Sequence, residues 1–252
     1  MARNILIVGH SHIHALRQAA VTRREADPAR PRTRTIYLLD PAFAPEMVGD
    51  GWGPALTAAI RDQIQRHDPI VASAIGGNAH AAFSMIPRER FDFEIEGGDT
   101  LPLDPGATIR SEAEVRERLL PWLGLEMTRL RLLRALAGPF WHLESPPPIR
   151  SAEWIMAHAE SYFTDQADYH SLGVAPAGVR YRSWLLANRM IRELCDELGC
   201  AYVEVPRHLR GEAGLLRPSL GRDATHAKEA FGEAMLQALE AVAFRASALP
   251  SD

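Results

Sequence analysis

Ile5-Leu6-Ile7-Val8-Gly9-His10-Ser11-His12 is a short apolar run that ends on a glycine and three polar residues. Consecutive apolar residues of this kind suit a strand covered on both faces, as in a parallel sheet. Immediately afterwards, His12–Arg24 carries apolar residues at helical spacing. A strand, a tight polar turn and a helix thus follow one another, which is the first half of a βαβ unit.

The same pattern recurs along the chain. Thr35–Leu39, Ile70–Ile75, Phe140–Leu143 and Ala201–Val205 are further apolar runs of strand length. Helical patterns lie between and after them, at Pro54–Arg66, Glu112–Leu136, Trp184–Leu198 and Ala227–Phe244. Pro121 and Gly124 are expected to bend or divide Glu112–Leu136. Repeated alternation predicts a single α/β domain over 1–252 with a doubly wound parallel sheet and right-handed crossovers. Ligands of such sheets bind beyond the carboxyl ends of the strands, so polar residues just after each strand matter most.

Two stretches do not fit simple crossovers. Residues 80–110 contain the alternating run Phe91–Ile95, then Gly97-Gly98-Asp99, then Leu101–Leu103, a pattern that predicts a hairpin. Residues 145–180 open on Ser145-Pro146-Pro147-Pro148 and carry Trp154, Tyr162, Phe163 and Tyr169. Both follow a strand's carboxyl end and are positioned to overhang a site.

Composition narrows the function classes. With 252 residues, 46% hydrophobic and 24% charged, the chain suits a globule with a substantial core. Its net charge of −4 provides no global attraction to nucleic acid or an anionic membrane. Cys195 and Cys200 have neither metal-clip nor Cys-x-x-Cys spacing, and read as reduced thiols. No basic stretch and apolar run precede the first strand, and no run reaches membrane-spanning length, so a cytoplasmic location is expected.

Three strand-end signals carry chemistry. Ser11 sits where a strand turns into a helix, and unpaired N–H groups there can receive an oxyanion. Taken alone it fits an ordinary helix cap better than a nucleophile. Asn78, in Gly76-Gly77-Asn78-Ala79 after the third run, can aim an amide at the same place, or simply serve a turn. Asp223 and His226 are three apart before the last helix, a spacing that lets a carboxylate orient an imidazole. Each signal has a bland reading; their order along the chain does not.

In that order the sequence resembles the SGNH/GDSL-like hydrolase family. The family has a serine motif after its first strand, a glycine after the second, Gly-x-Asn after the third and Asp-x-x-His before its last helix. The likeness covers about residues 3–78, 139–148 and 184–242, and leaves the two insertions unexplained. It implies a three-layer α/β/α fold, flavodoxin-like, with five parallel strands. It also implies a serine hydrolase acting on an acyl ester, of a small molecule or linked to a glycan, with Ser11, Asp223 and His226 catalytic. Asn78 and a glycine, best matched by Gly49 with Gly51 and Gly53 as rivals, would form the oxyanion hole. No metal or organic cofactor is implied, nor a nucleic-acid or membrane partner. His10 stands where the family commonly has Asp, and Ala79 where an acidic residue often follows Asn.

Competing readings are weaker. Gly-His-Ser-His and Gly-Asn-Ala-His echo binuclear metallophosphoesterases, but in the wrong chain order. A local metal site of His10, His12 and His14 would need an unwound turn, because residues two apart do not share a helix face. An α/β-hydrolase needs Gly-x-Ser-x-Gly, which no serine here has. A fold that has lost catalysis and kept binding is the remaining alternative.

Overall fold

The structure, a computed structural model, describes residues 3–97 and 101–246. In chain order the strands are β1 Ile5–Gly9, β2 Thr33–Tyr37, β3 Met47–Val48, β4 Gly51–Trp52, β5 Ile70–Ala74, β6 Phe91–Phe93, β7 Thr108–Arg110, β8 Trp141–Leu143 and β9 Ala201–Val203. The helices are α1 Ile13–Ala26, α2 Pro54–His67, α3 Ala79–Ser84, α4 Glu112–Ala137, α5 Ala152–His158, α6 Ser161–Thr164, α7 Ala167–Leu172, α8 Ala177–Glu197 and α9 Glu229–Ala246.

The expected parallel sheet is present, in the order β2-β1-β5-β8-β9. Its layers follow from the two-residue period of a strand. Ile5 and Ile7 of β1, with Ala72 and Ala74 of β5, face a core built with Leu16 of α1 and Met235 of α9. Leu6, Val8 and Val71 face the opposite core with Leu56 of α2, Leu119 of α4 and Leu186 of α8. Helices therefore cover both faces, giving the three-layer α/β/α arrangement. The strand order reverses between β1 and β5, which opens a crevice at their carboxyl ends. No helix among the described residues is long and apolar enough to cross a membrane.

Two elements depart from the sequence reading. α4 runs undivided through Pro121, because Leu120, Pro121 and Trp122 lie on its solvent face, where the carbonyl freed by the missing N–H can meet water. Ser111 starts this helix with a capping box to Glu114. α8 begins at Ala177, two turns earlier than its apolar spacing suggests, because Arg180 and Arg182 are buried rather than exposed.

The first insertion is not a hairpin. β6 pairs in parallel with β7, and Leu101–Leu103 is not a strand; Gly98 and Asp99 of the expected turn lie outside the described residues. Fully buried Asp92 organises this segment. Its carboxylate accepts Nε and Nη2 of Arg182 at 2.9 and 2.7 Å and the N–H of Asp104 at 2.9 Å. Arg182 also donates to the carbonyl of Leu101 at 3.1 Å, so that stretch wraps around a guanidinium instead of pairing with β6. Arg180 anchors the second insertion, donating to the carbonyls of Ile149, Arg150 and Ala175. Burial lowers its pKa to about 10.

Candidate active site

Ser11 occupies the turn between β1 and α1, facing the crevice where the strand order reverses. The turn is closed by Ile13 N–H to His10 C=O at 2.9 Å and His14 N–H to Ser11 C=O at 3.2 Å. No acceptor among the described residues takes the Ser11 N–H, which leaves it free for an anion.

The loop before α9 brings two more groups to this serine. His226 Nε2 lies 2.6 Å from Ser11 Oγ, and its Nδ1 lies 2.7 Å from Asp223 Oδ1. That carboxylate oxygen also accepts the backbone N–H groups of Thr225 at 3.3 Å and His226 at 2.8 Å, so one side chain both shapes the loop and holds the imidazole. Arg222 covers the other oxygen at 2.9 Å. Burial alone would lower the His226 pKa, but hydrogen bonds to Asp223 and Glu160, and their charges, lift it to about 9. Burial would raise the Asp223 carboxyl, yet bonding to the imidazole holds it well below the usual carboxylate range.

Asn78 comes to the same crevice from the end of β5, at the start of α3. Its Oδ1 lies 2.9 Å from His12 Nε2, and its Nδ2 donates to Thr225 Oγ1 at 3.2 Å. With the Nε2 proton on His12, the amide has one orientation: oxygen toward His12, NH2 toward the loop that holds His226. Burial lowers the His12 pKa to about 3, His226 adding to the effect and the bond to Asn78 opposing it, so His12 is a neutral imidazole. Its ring fills the space beside Gly77. A Cβ there would stand 1.8 Å from His12 Cδ2, so only glycine fits.

A cavity of about 470 Å³ opens over these groups. Ser11, His12, Asn78 and His226 form its floor, and Glu126 and Arg129 of α4 one wall. Trp122, Leu39, Tyr162 and Phe163 form the apolar part of its lining. Arg129 is paired with Glu46 through two bonds, at 2.7 and 2.6 Å, and with Glu126 at 2.9 Å. His10 turns toward these acids, its Nδ1 3.3 Å from Glu126 and its Nε2 3.9 Å from Glu46. Burial and Arg129 lower its pKa to about 3, while burial raises that of Glu126.

Ser11, Asn78, Asp223 and His226 are thus brought together as a set. Gly49 is not: it lies at the exposed tip of the β3–β4 hairpin, φ +58°, and does not line the cavity. Gly51 pairs in that hairpin, and the Gly53 N–H is spent on the carbonyl of Glu46 at 2.6 Å. Arg180 and Arg182, the two cations in the first turns of α8, are engaged by the insertions and do not face the cavity. The first insertion's strands stay away from the cavity lining; the second contributes Glu160, Tyr162 and Phe163.

The three early histidines do not form one metal site. His10 faces carboxylates, His12 faces Asn78, and His14 packs on Tyr37 with ring centroids 5.0 Å apart. Among the described residues, Glu160, Asp223 and His226 are the group whose ligand atoms lie within 4.8 Å of one another. A cation there would compete with the Nδ1 proton that Asp223 accepts and that Glu160 faces at 2.9 Å.

Sequence reasoning missed Glu160, Thr225 and the role of His12. Glu160 Oε1 lies 2.9 Å from His226 Nδ1 and accepts the Thr225 hydroxyl at 2.5 Å. Its approach depends on the path of an insertion for which the chain carries no motif. The polar pair His12–Asn78 is readable only once β1 and β5 are known to be neighbours.

No family model matches the chain, and no curated protein matches it. Among solved structures it is similar to a GDSL-like lipase from Bacteroides thetaiotaomicron, at 11% identity and TM-score 0.43, covering 98% of this chain and 89% of that one. It is also similar to the lipopolysaccharide acetyltransferase periplasmic domain of Salmonella ser. Paratyphi A, at 15% identity and TM-score 0.45, covering 97% and 84%. A third is the C-terminal catalytic domain of Streptococcus pneumoniae peptidoglycan O-acetyltransferase A, at 11% identity and TM-score 0.40, covering 99% and 97%. These likenesses are too distant to bear on chemistry, which stands on the side-chain geometry.

Proposed function

We propose that the protein is an SGNH-type serine hydrolase acting on an acyl ester of a small molecule or a glycan. One observation carries this reading: Ser11, His226 and Asp223 are joined at 2.6 and 2.7 Å beneath an open cavity.

In this mechanism neutral His226 takes the Ser11 hydroxyl proton at Nε2 while Oγ attacks the ester carbonyl. Asp223 keeps the proton on Nδ1 and stabilises the imidazolium that forms. The tetrahedral oxyanion is received by the Ser11 N–H and the Asn78 amide, and Gly49 takes no part. Collapse breaks the ester C–O bond, and the imidazolium returns its proton to the leaving alcohol. Water, deprotonated by the same imidazole, then cleaves the acyl-serine to the free acid. An alcohol in place of water would make the second half an acyl transfer. The chemistry needs no metal or organic cofactor, and a cytoplasmic location remains compatible with it.

The test is hydrolysis of a short-chain chromogenic acyl ester by the wild type and Ser11→Ala. The wild type should turn over and the variant should not; equal rates would remove Ser11 from the reaction.

A further inference from the structure

We infer that Glu160, delivered by the segment between β8 and α8, is a positioning residue for the His226 base: a second carboxylate on Nδ1 that also ties the base to the Asn78 amide. The inference rests on the proposed serine chemistry for its functional meaning, though not for its geometry.

Three contacts support it. Glu160 Oε1 stands 2.9 Å from His226 Nδ1, nearly as close as Asp223 Oδ1 at 2.7 Å. The same oxygen accepts the Thr225 hydroxyl, whose oxygen in turn accepts Asn78 Nδ2–H at 3.2 Å. The segment is also bound to the loop through its backbone, since the Ala224 N–H donates to the His158 carbonyl at 3.1 Å. Insertion and catalytic loop therefore form one hydrogen-bonded unit. A chain that ended the base's support at Asp223 would need none of this.

The remaining charged and titratable neighbours of the imidazole do not duplicate Glu160. His12 lies with its ring centroid 5.2 Å away and is held neutral by burial. His14 feels the imidazole, and burial together with Arg222, His226 and Arg17 lowers its pKa. Arg222 is engaged by the far oxygen of Asp223. The attraction that keeps a proton on His226 thus comes from two carboxylates, and its elevation to about 9 reflects both. A base so held is mostly protonated at neutral pH and becomes free on the alkaline side.

The experiment is an NMR titration of the His226 ring, assigned by its absence in His226→Gln, without substrate. Replacing Glu160 by Gln should lower the titration midpoint by about 1–3 pH units, the range for losing one close opposite charge. The acid limb of the kcat/KM profile on the chromogenic ester should move down by the same amount. In Asp223→Asn, Glu160 should still hold the midpoint above the ordinary 6.5. An unchanged midpoint in Glu160→Gln, or an ordinary one in Asp223→Asn, overturns the inference. Because the titration needs no turnover, it separates this outcome from failure of the esterase reading, which Ser11→Ala decides.

Discussion

Lowering the pH should destabilise this protein well before its carboxylates protonate, because three histidines are buried without a counter-ion among the described residues. Burial lowers the pKa of His12, His80 and His142 to about 3 each, and their exposures are 9%, 6% and 1%. His142 is the plainest case: its ring packs on Tyr202 and its Nδ1 has no hydrogen-bond partner among the described residues. His10 differs, since carboxylates of Glu126 and Glu46 stand ready to receive its charge. An unfolded histidine titrates near 6.5, so below that value the unfolded chain binds protons that the native one refuses, and stability falls with pH. At pH 5 the cost is roughly 2 kcal/mol per histidine, or about 6 kcal/mol for the three. His226 has the opposite sign: its contribution is fully present below 6.5 and lost as pH rises through about 9. Between pH 7 and 5 it returns less than about 1 kcal/mol. The net loss of about 5 kcal/mol is a large share of the ~5–15 kcal/mol that stabilises a typical domain. Urea unfolding at pH 7, 6 and 5 measures it directly. A stability constant to within about 1 kcal/mol over that range would refute the claim that these rings are neutral and dry. His142→Met should remove about one third of the slope.

Two further predictions concern particular side chains. Asn78→Ala should reduce ester turnover by roughly 10²–10³ with the fold kept, the usual cost of losing one oxyanion donor; a near-wild-type kcat would take Asn78 out of that role. Asp92→Ala leaves the buried Arg182 guanidinium without its carboxylate and should cost about 3–5 kcal/mol in denaturant unfolding, and a loss below about 1 kcal/mol would show that the carbonyls around Arg182 suffice.

Much of the architecture was legible in sequence because it rests on local pattern. The runs at Ile5, Ile70 and Phe140 are dominated by apolar residues, with only Ser73 and His142 as polar members, as suits strands buried on both faces, and each became a central strand. Ser11, Asn78, Asp223 and His226 were legible because strand ends in such a sheet converge on one place, so linear order becomes spatial proximity. Failures arose where a long-range partner decides a residue's environment. Arg182 reads as a surface cation until Asp92, 90 residues earlier, is placed against it. Leu101–Leu103 looks like a strand until the same guanidinium claims its backbone. Gly49 fits the motif spacing but belongs to a small hairpin with its own reason for a glycine at φ +58°. Glu160 carried no signal at all, being one acid among many until its insertion folds over the base.

The contact between Gly77 and His12 has a consequence for the history of this sequence. Any side chain at 77 would occupy the space of the ring at 12, reaching within 2.3 Å of Nε2 itself. The two positions are therefore not free to drift separately. A lineage can exchange the histidine first and the glycine afterwards, but not in the reverse order. Once position 77 has gained a side chain, return of the imidazole is blocked until glycine is restored. The pair therefore imposes an order on divergence, and relatives that share the His12–Asn78 bond should also share the glycine.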